Sequence, residues 1–171
     1  MSYQSVLNGK SILITGGTGS FGNQMVKELS NYKPKNILVF SRDEDKQNTM
    51  KQELRNQPIS KVIKYVIGDV RDYDRLYTVC KDVDIVFHAA ALKQVPTVEL
   101  YPLEAVKTNI IGSHNLVRAS IDRGVKHVVA VSTDKAVKPV NAMGMTKALQ
   151  EKIFRSDQYE HSKTIFCSVR Y

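Results

Sequence analysis

Tryptophan is absent from the 171 residues, which excludes little, but cysteine occurs only twice, which excludes more. Cys80 and Cys167 lie far apart among hydrophobic neighbours. They read as reduced, packed thiols of a cytoplasmic protein, not as a disulfide framework. The four histidines, at 88, 114, 127 and 161, are scattered without metal-ligand spacing, so no metal site is expected. No apolar run approaches the roughly 18 residues of a membrane helix. The start Met1-Ser2-Tyr3-Gln4 lacks the basic region and apolar stretch of a secretory signal. Acidic residues are outnumbered, 17 against 25 basic ones, for a formal charge of +8. No basic run with interleaved aromatics accompanies that excess, so nucleic acid is not expected as a partner. An ordinary basic surface also suits anionic nucleotides.

What is present is alternation. Short β-branched runs at Ser11–Thr15, Asn36–Phe40, Val62–Ile67, Asp84–Phe87, His127–Val131 and Thr164–Val169 read as strands. Their near-continuous apolar character points to burial on both faces, hence a parallel sheet. Helical spacing separates them: Phe21, Met25 and Leu29 before Lys33-Pro34, and Leu103, Val106, Ile110, Val117 and Ile121 before Gly124. Six strands with helical crossovers predict an α/β fold, a doubly wound sheet in the order 3-2-1-4-5-6. The length accommodates one domain over residues 1–171. The chain stops directly after its last strand at Val169-Arg170-Tyr171, and a fragment of a longer protein is expected.

The first strand runs into Gly16-Gly17-Thr18-Gly19-Ser20-Phe21-Gly22. Glycines at 16, 19 and 22 between a buried strand and an amphipathic helix fit a dinucleotide site. Gly16 serves the tight bend, Gly19 the close approach of a pyrophosphate, and Gly22 the packing of helix on sheet. The helix start offers free N–H groups to the phosphates. The second strand ends in Phe40-Ser41-Arg42, where an acidic residue would suit the ribose 2′-hydroxyl of NAD. A hydroxyl and a guanidinium suit a 2′-phosphate instead, so NADP is favoured over NAD. The plain alternative makes Arg42 a solvated charge beside Asp43, Glu44 and Asp45. Asp69 is a candidate acceptor for the adenine amino group, with Val70 packing on the ring. Ala89, Ala90 and Ala91 leave room for ribose and pyrophosphate, or simply pack closely. Asn109, placed mid-helix where asparagine propensity is poor, hints at a positional hydrogen bond near the site, with a plain helix-surface asparagine as the alternative.

Five stretches together carry a resemblance: T-G-G-T-G-S-F-G at 15–22, S-R-D-E-D-K-Q at 41–47, G-D-V-R-D at 68–72, H-A-A-A-L-K-Q-V-P at 88–96 and V-S-T-D-K-A-V-K-P-V-N-A-M-G-M-T-K at 131–147. The chain resembles extended short-chain dehydrogenases/reductases acting on nucleotide sugars, nearest the UDP-N-acetylglucosamine 4,6-dehydratases of bacterial capsule, O-antigen and flagellin-sugar synthesis. The resemblance spans essentially the whole chain. It implies a Rossmann domain binding NADP, a UDP-sugar substrate, and a sugar-binding region beyond Tyr171 that is absent here. Turnover by the 171 residues alone is therefore not expected. A homo-oligomer is expected through the helices around 100–123 and 142–160.

One departure from the resemblance is informative. The superfamily's Tyr-x-x-x-Lys reads here Met143-Gly144-Met145-Thr146-Lys147, so Lys147 is kept and the proton-carrying tyrosine is methionine. A thioether cannot carry a proton. Such a methionine is similar to the branch that also inverts C5. The family reaction moves a hydride from sugar C4 to NADP⁺, eliminates water across C5 and C6, and returns the hydride to C6. The resemblance implies Lys135 as the C5 base, Asp134 as the acid for O6, and Ser132 and Thr133 as partners of the sugar hydroxyl; the plain alternative makes Asp134 and Lys135 an exposed loop ion pair and Lys147 a solvated helix lysine. It implies Lys147 as a ligand of the nicotinamide ribose and Lys93 as a further group near cofactor and substrate. Two readings compete with it: a dinucleotide-binding module without turnover, and a UDP-sugar 4-epimerase.

Overall fold

Ser11-Ile-Leu-Ile-Thr15 forms a strand with every residue buried, and the fold is built outward from it. The structure is a computed structural model, and it describes residues 3–156 and 162–171. A short helix α1 (Tyr3–Leu7) precedes β1 (Ser11–Thr15), and α2 (Ser20–Leu29), β2 (Asn36–Ser41) and α3 (Glu44–Leu54) follow. Next come a 3₁₀ turn at Pro58–Val62, β3 (Ile63–Ile67), α4 (Tyr73–Val79) and β4 (Ile85–His88). Then α5 (Val95–Leu100) and α6 (Pro102–Ala105) lead through a π-helical segment, Val106–Ile111, into α7 (Gly112–Asp122). β5 (His127–Ser132), a 3₁₀ turn at Asp134–Ala136, α8 (Ala142–Phe154) and β6 (Ile165–Arg170) complete the order.

All six strands pair in parallel, in the order β3-β2-β1-β4-β5-β6. The predicted order is the observed one, and strand ends differ by a residue. Successive residues of a strand face opposite ways. Ile12 and Ile14 therefore join Val26, Leu29, Met50 and Leu54 on one face, beneath α2 and α3. Leu13 joins Leu76, Leu116, Val117 and Phe154 on the other, beneath α4, α7 and α8. Both faces are covered, as a parallel sheet requires.

β6 departs from the expected burial on both faces. It is an edge strand, exposed or half-exposed along its length, and Cys167 is exposed instead of packed. Cys80 is buried, and burial pushes its thiol up to about 12. The apolar series from Leu103 to Ile121 is also only partly inward. Leu103 is 71% exposed, while Thr108, Asn109, Ser113 and Ser120 are buried in its place. The π segment accounts for this, because it adds a residue to the turn and rotates what precedes it. Leu100, Tyr101, Leu103 and Ile111, from the first stretch expected to join copies, are exposed, as are Met145 and Leu149 from the second. Residues 157–160 of that second stretch lie outside the described residues. No helix among the described residues is long and apolar enough to cross a membrane.

Candidate functional site

Parallel strands end on one edge, and the loops leaving the first five, with Tyr171 after the sixth, line a cavity of about 940 Å3 there. The strand order reverses between β1 and β4, and doubly wound sheets bind ligands at that reversal.

One end of the cavity is made of backbone. Gly16 has φ +66°, and a Cβ there would lie 2.8 Å from the Ala90 nitrogen and 2.9 Å from the Ala89 carbonyl oxygen. A Cβ on Gly22 would overlap the Gly17 carbonyl. Gly22 thus shapes the turn without lining the cavity, whereas Gly16, Thr18, Gly19, Ser20 and Phe21 line it. No side chain caps the start of α2, so its first N–H groups are free for an anion beside Gly19. Thr18 Oγ1 and Ser41 Oγ share a 2.8 Å hydrogen bond that ties the turn to the end of β2. This cradle fits the pyrophosphate of a dinucleotide.

Ser41, Arg42, Asp69 and Val70 line the wall beyond. The Asp69 carboxylate accepts from Arg71 at 2.7 and 2.8 Å and pairs with Arg42 at 3.4 Å. Burial pushes its pKa up, but the Arg71 bonds and the two guanidinium charges outweigh this and hold it below the usual range. Asp69 is thus committed to arginines, and Arg42 is neither fully free nor a lone solvated charge. Ala89, Ala90, Ala91 and Lys93 form the floor after β4. Asn109 does not reach the cavity. Its amide accepts from Leu92 N at 2.8 Å and donates to Leu92 O at 2.9 Å and Thr146 Oγ1 at 3.0 Å. It clamps the loop after β4 to α8. The positional hydrogen bond expected of Asn109 exists, but its partners are protein.

The other end is made of side chains from β5, the turn after it, and α8. Ser132, Thr133, Lys135, Met143 and Lys147 line the cavity. The Asp134 side chain is 76% exposed and does not line the cavity. Its carboxylate accepts from Thr133 Oγ1 at 2.9 Å, Lys135 N at 2.8 Å and Lys135 Nζ at 3.3 Å. The Thr133 bond, then those from Lys135, hold its pKa below the usual range. Lys147 is buried, and burial pushes its ammonium down to about 8 against the opposing charge of Glu151. Met143 is buried against Val98 and Ala105 while one side faces the cavity.

Several polar residues at this end escaped the sequence reading. Ser132 Oγ donates to Glu151 at 2.5 Å, and Arg170 of β6 pairs with the same carboxylate at 2.5 Å. His88, Ser113 and Gln150 are buried beside Lys147. The signal available was a histidine closing an apolar strand, directly before Ala89-Ala90-Ala91. Among the described residues, no group of three histidine, cysteine or acidic side chains is placed to hold a metal ion.

Comparison with known proteins agrees with the geometry. The family model described as "Polysaccharide biosynthesis protein" matches residues 12–171. A UDP-glucose 4-epimerase of Rickettsia bellii is 52% identical over 173 residues, covering 95% of this chain and 48% of the relative. An inverting UDP-N-acetylglucosamine 4,6-dehydratase of Campylobacter jejuni is 51% identical over 169 residues, covering 97% and 49%. The crystal structure of Pen from Bacillus thuringiensis superposes with a TM-score of 0.91 at 41% identity, covering 96% of this chain and 50% of that one. The chain spans about half the length of the curated relatives it matches. With a glycine cradle at one end of its cavity and Thr-Asp-Lys at the other, the chain belongs to the polysaccharide biosynthesis protein family of extended short-chain dehydrogenases/reductases.

Proposed function

We propose that this chain is the NADP-binding half of a UDP-N-acetylglucosamine 4,6-dehydratase that inverts C5. The observation that carries the reading is one cavity bounded by the Gly16–Gly22 cradle and by Lys135 and Lys147, with Met143 at the tyrosine position. Bound NADP supplies the acceptor and donor of hydride. The Gly19–Phe21 backbone holds the pyrophosphate, and Arg42 turns from Asp69 to the 2′-phosphate, since Arg71 already holds that carboxylate. Lys147 holds the nicotinamide ribose.

The Asp134–Lys135 pair explains how one turn supplies both an acid and a base. Lys135 lines the cavity and Asp134, salt-bridged to it, lies outside the lining, so the pair starts as ammonium and carboxylate and Asp134 turns inward when the sugar binds. Sugar binding removes water, which penalises the charged forms. Moving one proton from Lys135 Nζ to Asp134 Oδ1 then gives a neutral amine and a carboxylic acid. The amine takes the C5 proton, the acid protonates the departing O6 hydroxyl as water, and the ion pair is restored. Met143 cannot join this exchange, so the C4 hydroxyl proton released with the hydride passes through the Thr133 hydroxyl, which lines the cavity, to water.

A second reading, 4-epimerisation of a UDP-sugar, is favoured by the name of the Rickettsia relatives. Product analysis separates the two, because only the dehydratase loses water. In a protein of the relatives' length and in deuterated water, the native sequence should place deuterium at C5. Lys135→Ala should abolish elimination while C4 oxidation, followed as NADPH absorbance, persists. Full turnover with normal C5 labelling in that variant would move the base elsewhere, with Lys93 next to test.

A further inference from the structure

Behind Lys147 runs a chain of buried polar side chains that the proposed chemistry does not use. Thr15 Oγ1 lies 2.7 Å from His88 Nδ1, and His88 Nε2 lies 3.1 Å from Ser113 Oγ. Ser113 Oγ is 2.7 Å from Asn109 O and 2.6 Å from Gln150 Nε2. Gln150 Oε1 accepts from Lys147 Nζ, which also donates to Val131 O at 2.6 Å. The members come from β1, β4, α7, α8 and β5, and all five side chains are buried.

The direction of every bond follows from counting protons. A serine hydroxyl has one proton, and a carbonyl oxygen can only accept. Ser113 therefore gives its proton to Asn109 O and must accept from both other neighbours. Gln150 turns its NH₂ to Ser113, which leaves its carbonyl oxygen facing Lys147. His88 donates from Nε2, so Nδ1 is bare and accepts from the Thr15 hydroxyl. A charged imidazole would need Nδ1 to donate and would break this order. Burial, and then the Lys147 charge, push the His88 pKa down to about 3, so the ring is neutral. Two of the three ammonium protons of Lys147 are thereby spent on Gln150 and Val131. One is left for the cavity that the lysine lines.

We propose that Gln150 is the positioning residue for Lys147: its amide, oriented by Ser113 and His88, fixes where the ammonium points and favours the charged form. The proposal rests on the assignment of Lys147 to the cofactor ribose. The charged and titratable groups facing Lys147 are Glu151 on its own helix, His88 from β4 and Arg170 of β6 through Glu151, and it shares the cavity lining with Lys93, Lys135 and Tyr171. Gln150 adds to these a neutral acceptor whose direction is set from two other elements.

The test follows the Lys147 side-chain carbon resonance against pH in this chain, with no cofactor present. The native midpoint is expected near 8. Gln150→Met keeps the shape and removes the acceptor, so the midpoint should fall, with the protonation constant lowered on the order of tenfold. Gln150→Glu keeps an acceptor and adds charge, so the midpoint should rise. A purely structural role for Gln150 would lower stability and leave the Gln150→Met midpoint in place, since a new carboxylate beside Lys147 raises the midpoint in either case. A Gln150→Met midpoint that stays put or rises overturns the proposal. If Gln150→Met does not fold, Ser113→Ala frees the same amide to turn and should also lower the midpoint; an unchanged curve there overturns it equally. Cofactor titration of Lys147→Met is read separately. Native affinity in that variant would remove the ribose assignment, whereas the midpoints report on Gln150 alone.

Discussion

The two ends of the cavity are built from different materials. The phosphate end is backbone: a left-handed glycine, an uncapped helix start, and alanines close enough that no Cβ fits between. The β5–α8 end is side chain: Thr133, Lys135 and Lys147 before a buried network drawn from five elements. A backbone site is fixed by steric exclusion, so one added carbon should destroy it. A side-chain site is fixed by proton bookkeeping, so changes of pH or of single acceptors should tune it.

The largest effect should come from a methyl group at the backbone end. Gly16→Ala forces an L side chain to φ +66° and drives its Cβ onto the Ala89–Ala90 peptide. Strain and overpacking together should cost about 3 kcal/mol, measured by urea unfolding. A loss under about 0.5 kcal/mol would mean the turn relaxes freely, and the contrast between the two ends would fail.

The next effect belongs to the side-chain end and is driven by pH. His88 is neutral in the fold down to about 3, whereas its ordinary value is 6.5. Between those values the unfolded chain binds the extra proton, so the contribution is whole above 6.5 and is lost as pH falls. Stability should decline by up to about 1.4 kcal/mol per pH unit below 6.5. Asp69 and Glu151, held below the usual carboxylate range, add their own losses only at lower pH. His88→Gln, followed by urea unfolding between pH 7 and 5, should be less stable at pH 7 and lack this slope. An equal slope in the variant would assign the proton to another group.

The smallest effect lies between the two ends. Arg42 is half-exposed and shares Asp69 with Arg71, so freeing it costs little. Arg42→Ala should weaken NADP⁺ about tenfold, the worth of one charge-assisted hydrogen bond, and barely change NAD⁺. Calorimetry giving equal native affinities for both would remove the 2′-phosphate argument.

Legibility followed the same division. The glycine spacing, strand alternation and strand order were all readable, because backbone conformation and two-faced burial leave a mark on every residue involved. Ser113, Gln150 and Glu151 leave no such mark. Each is an unremarkable polar residue on a helix, and its importance arises only when α7 and α8 meet over His88. The helix starts after Asp43 and Asp72 were also missed. Both aspartates accept from the backbone N–H three residues on, at 2.9 Å, as N-caps do. In the sequence Asp43 reads only as a neighbour of Arg42, and Asp72 only as part of the G-D-V-R-D stretch. β6 misled for the opposite reason: its apolar letters imply two covers, and one face is open.

The π segment at Val106–Ile111 sets the phase of everything after it. Its wider turn lets Ala105 pack inward from one side while Asn109 and Ser113 reach Leu92 and His88 from the other. Winding these same residues as regular α-helix would rotate α7 by roughly 100° relative to α6. Asn109 would swing off Leu92, Ser113 would leave His88, and the proton order that aims Lys147 would lose its middle link. The width of this one turn is therefore part of the site's wiring, and its Thr108 lines the cavity directly.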